Sequence, residues 1–271
     1  MPEGHVLHGL ASSLNAAFQD ETVNVSSPQG RFAESAALLT QTRFANSEAY
    51  GKQLFIQFDA PIPEPIIYIH LGLIGRFRLK PLADPVGVIR LRISDDEVAA
   101  DLSGPQICRL VSPAEKLAET SKLGADPIRE DANPQLAWNK IHRSTKPIAA
   151  LLLNQGITAG VGNIYRAEVL FRARVNPWTP GNQLKKSSWE TIWGDLVRLM
   201  PYGVETGNID TVDPEHLPEA MGRPPRQDAH GGEVYVYRRA GLPCYVCGSK
   251  IRCELLDNRQ LYWCGRCQRR K

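Results

Sequence analysis

Leu7, Leu10, Leu14 and Phe18 recur three and four positions apart, the spacing of one face of an α-helix, so the chain is predicted to open with an amphipathic helix. The period then changes to two. Leu54, Ile56 and Phe58 alternate with Phe55 and Gln57, and Ile89, Leu91 and Ile93 alternate with Arg90 and Arg92. Such alternation, broken by turns such as Ala83-Asp84-Pro85 and by the Pro-rich loop Ala60–Pro65, predicts an antiparallel β-sandwich over roughly 1–120. From about 121 the pattern is helical. Asn133-Pro134 reads as an N-cap with proline in the first turn. A helix from near Pro147 through Leu151, Leu152 and Leu153 stops at Gln155-Gly156. A glycine-broken turn, Ile157–Gly162, leads to a further helix over about Asn163 to Ala173, closed by Pro177 and Pro180. Gly203–Gly232, rich in Pro, Gly and charge, reads as a linker or loop. The remainder, 233–271, is too short to bury a core and needs a staple. The reading is α+β, in three parts: 1–120, 121–232 and 233–271.

Composition adds little by itself. The 271 residues are 42% apolar and 23% charged, as in a water-soluble domain. No apolar run approaches the roughly 20 residues of a membrane span. Glu3 and His5 stand where a signal peptide would carry lysines, so a cytoplasmic protein is expected, with no membrane partner. Charge is more telling in its distribution. The net +3 conceals a C-terminal stretch, from Gly231 on, with nine Lys/Arg against three acids; the first 230 residues therefore carry −3. A basic tail on a near-neutral body suits a polyanion partner, and equally a solvated terminus.

Four cysteines, Cys244, Cys247, Cys264 and Cys267, form two C-x2-C pairs sixteen residues apart. Four thiolates complete a tetrahedral zinc shell with no open position, so one structural Zn2+ is expected, with Gly248 and Gly265 giving the turns a permissive backbone. Cys108 and Cys253 read as ordinary thiols. Between the pairs, Cys253–Leu256 and Gln260–Trp263 form a hairpin whose tip is Asp257, Asn258 and Arg259. Arg259 there is a phosphate probe or a solvated turn residue. The turn at Gly160-Val161-Gly162 aims the N-terminus of the Asn163 helix outward, which is a phosphate site or a plain helix connection. Removal of Met1 would expose Pro2 as a secondary amine. Its adduct with a sugar C1′ is an iminium ion, an electron sink that favours elimination of phosphate, and Glu3 beside it can supply a proton. Alone, Met-Pro-Glu is a common start, and Lys52 alone is a surface lysine.

Taken together and in order, these pieces resemble the Fpg/Nei family of DNA glycosylases, in its endonuclease VIII-like branch. The resemblance runs through Pro2-Glu3-Gly4, Gly51-Lys52-Gln53-Leu54-Phe55, His70-Leu71-Gly72-Leu73, the helix-two-turn-helix (H2TH) stretch LLNQGITAGVGNIYRAEVLFRARVNP over 152–177, and the finger YRRAGLPCYVCGSKI…RQLYWCGRCQ. It implies a β-sandwich, an H2TH domain and a β-hairpin zinc finger around damaged DNA, in a monomer associated with the nucleoid. Pro2 would be the Schiff-base nucleophile and Glu3 the general acid/base. Lys52 would contact the phosphate beside the lesion. Asn163 and Arg259 would grip neighbouring phosphates, with His70 adding a contact. The lesion nucleotide would flip out, with Leu73 as a wedge filling its place. The implied reaction is excision of an oxidised base followed by β,δ-elimination. Three positions depart from the family. Val6 stands where some relatives carry glutamate, so any role of that carboxylate is either missing or filled by another group such as His5 or His8. Asp101-Leu102-Ser103-Gly104-Pro105 replaces the Arg-Arg-Phe-Gly loop of the purine-specific branch, which favours oxidised pyrimidines. Leu73-Ile74 replaces the usual wedges. Met221–Gly232 is expected to supply a lesion-facing loop. The rival readings are a lyase acting mainly on existing abasic sites and a catalytically silent DNA-binding protein.

Overall fold

A computed structural model describes residues 2–227 and 232–269. The chain divides into two compact units, Met1–Lys122 and Leu123–Lys271.

In the first unit, α1 (Gly4–Phe18) follows the predicted stripe. Leu7, Leu14 and Phe18 are fully buried, each removing apolar surface worth about 1.5–3 kcal/mol. Asn15 fixes the helix to the sheet: its Nδ2 donates to the Ser47 carbonyl at 2.9 Å and its Oδ1 accepts from the Ser47 N–H at 2.6 Å. The strands are β1 (Thr22–Ser26), β2 (Thr42–Tyr50), β3 (Gln53–Asp59), β4 (Ile66–His70), β5 (Arg76–Pro81), β6 (Leu91–Ser94), β7 (Val98–Ser103) and β8 (Ile107–Val111). Helix α2 (Ala33–Leu39) lies between β1 and β2, and α3 (Pro113–Thr120) follows β8. All pairings are antiparallel, in the order β5-β7-β6-β1-β2-β3-β4-β8. Strand β1 pairs with β2 through Thr22 and Val23, then with β6 through Asn24–Ser26. This change of partner is the corner where one layer of a sandwich becomes the other. Leu54, Ile56, Phe58, Phe77, Leu91 and Ile93 share one core with α1. Phe55, read as alternating out of that core, is buried as well. It stacks on Tyr68 with ring centroids 4.9 Å apart, in a second small cluster with Ile66 and Val111 beside α3.

The second unit holds α4 (Pro134–His142), α5 (Ile148–Leu151), α6 (Asn163–Arg172), α7 (Lys186–Thr206), α8 (Pro218–Met221), and a hairpin of β9 (Ile251–Leu256) and β10 (Arg259–Cys264). Asn133 caps α4 as expected, accepting from the Gln135 N–H at 3.0 Å. The helix expected through Leu153 ends at Leu151 because side chains take over the carbonyls that would continue it. Thr158 Oγ1 donates to the Leu152 carbonyl at 2.8 Å, and Gln155 Nε2 to that of Leu153 at 2.9 Å. The loop expected from Gly203 begins later. Leu196, Leu199, Met200 and Gly203 are buried and carry α7 through to Thr206, and α8 forms within the same stretch. Helix α6 is the centre of this unit, buried on all sides from Ile164 to Phe171. The cysteine segment packs into the same core through Val234, Tyr235, Val236, Ile251, Leu261 and Trp263.

Candidate active site and nucleic-acid interface

In the first unit, Pro2 is half-buried and Glu3 is 1% exposed at the N-cap of α1, with extended backbone (φ −107°, ψ 175°). The Glu3 carbonyl accepts the Val6 N–H at 3.0 Å, so the helix begins directly behind the proline. Val6 packs against the core, His5 is buried and His8 is half-buried. Met1 lies outside the described residues, as do 228–231 of the stretch expected to face the lesion.

Lys52 occupies the two-residue turn between β2 and β3, closed by the Tyr50–Gln53 pair. Gln53 pairs in turn with His70, the last residue of β4. The hairpin thereby brings Lys52 and His70 together from 18 positions apart. Burial pushes the His70 imidazole below its ordinary pKa, the Lys52 charge pushes it further, and a hydrogen bond with Gln106 opposes both. These shifts favour the uncharged ring, and its Nδ1 accepts the Gly72 N–H at 3.1 Å. Leu73 and Ile74 follow in the β4–β5 turn, 68% and 80% exposed. Two large aliphatic side chains held out on a tight turn are placed to enter an apolar or stacked environment. Asp101–Ser103 belong to β7, and only Gly104–Gln106 link it to β8.

In the second unit, Gly160 takes the left-handed conformation (φ 84°) while Gly162 is the extended N-cap of α6, so a single glycine of the pair requires that freedom. Asn163 opens the helix. Its Nδ2 donates to the Gln260 carbonyl at 2.9 Å, and its Oδ1 accepts from Arg166 Nη2. The same Arg166 nitrogen reaches the Gln260 carbonyl at 3.2 Å. Helix and hairpin are thus tied one residue from Arg259. The hairpin tip is Asp257-Asn258, both at positive φ (49° and 58°) as a tight two-residue turn requires; Arg259, expected at the tip, is the first residue of β10. Arg166 went unnoticed in the sequence, although its place three positions after Asn163 puts it on the same helix face. Glu168 was missed as well. Fully buried in α6, it accepts the N–H groups of Tyr235, Val236 and Tyr237 at 2.7, 2.9 and 2.8 Å and orders the approach to the finger.

The four cysteine Sγ atoms lie within 4.8 Å of one another, with Cys244–Cys267 at 3.9 Å and Cys247–Cys264 at 3.4 Å. Four thiolates about 2.3 Å from a tetrahedral metal stand about 3.8 Å apart, so the cluster fits one metal ion. Gly248 takes φ +71° after Cys247. Gly265, which follows Cys264, does not need that conformation; a Cβ there would meet the Arg252 guanidinium at 2.7 Å, a contact that the flexible arginine side chain can relieve by shifting. Cys108 stands apart from the cluster, its thiol pushed up to about 12 by burial.

The Mycobacterium tuberculosis and Mycobacterium bovis proteins named Endonuclease 8 1 are 43% identical to this chain over 277 aligned positions, which cover 99% of it and 100% of theirs. The chain belongs to the Fpg/Nei family of DNA glycosylases. Within that family, residues 1–107 match the formamidopyrimidine-DNA glycosylase N-terminal domain and residues 123–214 the formamidopyrimidine-DNA glycosylase H2TH domain. A formamidopyrimidine-DNA glycosylase of Prochlorococcus marinus (strain MIT 9313) is 35% identical over 58% of this chain and 52% of its own length. The Fpg/Nei fold is shared with Lactococcus lactis Fpg, solved in complex with DNA containing an abasic site, at TM-score 0.80 and 23% identity, covering 99% of this chain and 100% of that one. MutM in complex with DNA containing carbocyclic 8-oxo-G superposes at TM-score 0.79 and 22% identity over the same shares. Among the described residues, no helix is long and apolar enough to cross a membrane.

Proposed function

We propose that this Fpg/Nei protein is a bifunctional DNA glycosylase/AP lyase that removes oxidised pyrimidines and then cuts the strand by β,δ-elimination. The observation that carries the reading is Pro2-Glu3 at the head of α1, in a chain 43% identical throughout to Endonuclease 8 1. After loss of Met1, the Pro2 secondary amine attacks C1′ of the damaged nucleotide and the base departs. The resulting iminium draws electrons from the sugar, so a C2′ proton and then the 3′ and 5′ phosphates are lost in turn. Glu3 moves the proton to and from the sugar oxygen, and Lys52 holds the adjacent phosphate with His70 beside it. Asn163 and Arg259 grip the backbone. Leu73 and Ile74 occupy the space of the flipped nucleotide. The short Gly104–Gln106 link supports pyrimidines over 8-oxoguanine. Cys244, Cys247, Cys264 and Cys267 hold one Zn2+, whose role is to staple the finger. The enzyme acts on damaged DNA as a monomer in the cytoplasm.

Borohydride trapping on oligonucleotides bearing an oxidised pyrimidine or an abasic site tests this. A covalent adduct on both, absent in Pro2→Gly, is expected. Val6 packed into the core, in place of a carboxylate, favours one second reading, a lyase of abasic sites alone. That reading predicts an adduct only on the abasic strand, and no adduct on either substrate would leave a silent binder.

A further inference from the structure

At the C-terminal end of α6, the residues after the helix, the start of α7 and Arg269 line an open cavity of about 290 Å3. Its lining contains three cations, Arg174, Lys185 and Arg269, and no carboxylate. None of the three forms an ion pair among the described residues. The Arg174 guanidinium is set in place 4.8 Å over the Phe171 ring. Thr179, Gln183 and Ser188 also line the cavity, and their side chains have no hydrogen-bond partner among the described residues. Three exposed cations with no acidic neighbour in the lining, and three polar side chains without a protein partner, together make the cavity's field positive and favour an oxyanion there. Asn163 stands at the other end of α6, a helix of ten residues and so about 15 Å long. The cavity is therefore remote from the Asn163–Arg259 face within its own unit.

We propose that this cavity is a phosphate site, separate from the DNA-gripping residues, which takes inorganic phosphate or the phosphate of a small phosphomonoester. The volume exceeds that of one phosphate ion, leaving room for a compact body attached to it. Arg174, Lys185 and Arg269 neutralise the dianion, while Thr179, Gln183 and Ser188 direct hydrogen bonds at its oxygens.

The test is thermal unfolding with sodium phosphate replacing sodium chloride at constant ionic strength. A saturable rise in the midpoint is expected for the unmodified chain and for Asn163→Ala. Lys185→Gln combined with Arg269→Gln, both exposed positions, should lose at least half of that rise while keeping duplex-DNA affinity within threefold. Absence of a saturable rise, or an undiminished rise in the double variant, would overturn the site. A loss of duplex affinity beyond threefold in that variant would assign these cations to the DNA backbone and overturn a separate site equally.

Discussion

Arg92 and Asp101 face each other across β6 and β7, where alternation alone reads Arg92 as a solvated outer residue. Both are buried and joined by two hydrogen bonds of 2.7 and 3.0 Å, with Lys80 3.1 Å from the same carboxylate. Burial pushes the Asp101 carboxyl up, but Arg92 and Lys80 outweigh it and hold it below the usual carboxylate range. Removing one partner of a buried pair leaves an uncompensated charge, at about 3–5 kcal/mol. Asp101→Ala should therefore lower urea stability by roughly that amount; a loss below about 1 kcal/mol would mean that water already reaches Arg92. His70 is shifted in the same direction for a different reason, since burial drives its shift where it opposes that of Asp101. Its folded pKa lies below the unfolded value, so the unfolded chain binds the proton more readily. Its contribution to stability is complete above about pH 6.5 and is lost as pH falls through the window beneath. NMR titration should place the His70 midpoint below the ordinary histidine value, and Lys52→Gln should raise it. An ordinary value that Lys52→Gln does not move would separate the two residues. The Lys52–His70 pairing was not legible from local sequence because it depends on the β2–β3–β4 register, whereas the motifs bearing each residue were.

At the scale of elements, α6 and β10 act through one shared carbonyl. Asn163 spends one amide N–H on Gln260, immediately beside Arg259, so the two positions proposed to grip phosphates are mechanically joined. Asn163→Ala and Arg259→Ala should each weaken duplex binding and reduce the slope of log K against log salt by about 0.9, the value of one phosphate contact. Their double variant should lose less than the sum, because Asn163 holds the residue next to Arg259 and the two positions are therefore not independent. Strict additivity in a fluorescence-anisotropy titration would show that the Gln260 link transmits nothing. Elements were legible where one local signal was written out: the period of α1, the Asn133-Pro134 cap of α4 and the glycine turn before α6. The helix α3 was missed although its start is written out: Ser112 and Glu115 form a capping box, with Pro113 in the first turn. The end of α5 was misread for a different reason. Thr158 and Gln155 reach back to the Leu152 and Leu153 carbonyls just past it, and no period in the helix announces a partner that lies beyond it.

For the whole molecule, the sequence divides into three by pattern while the contacts divide it into two, because the cysteine segment has no core of its own. Cys244, Ile251, Leu261 and Trp263 are buried with the side chains of α6 and α7, and Trp178 meets Trp263 edge to face at 6.1 Å. A short apolar pattern between cysteines does not reveal which surface will receive it. The arrangement makes zinc a matter for the entire second unit. All five tryptophans, Trp138, Trp178, Trp189, Trp193 and Trp263, lie in that unit, so their fluorescence follows its unfolding alone. Metal binding free energy is folding free energy where the site forms only in the folded state. Cys244→Ser, or chelation of the native protein, should therefore lower the midpoint of the fluorescence transition well below that of the metal-loaded chain. The β-sandwich, which has its own core around α1, should keep its transition, followed by far-UV ellipticity. A fluorescence midpoint unmoved by chelation would remove zinc from the account of stability and leave the cysteines as a hydrogen-bonded cluster. A sandwich transition that falls in step would mean that the two cores unfold as one.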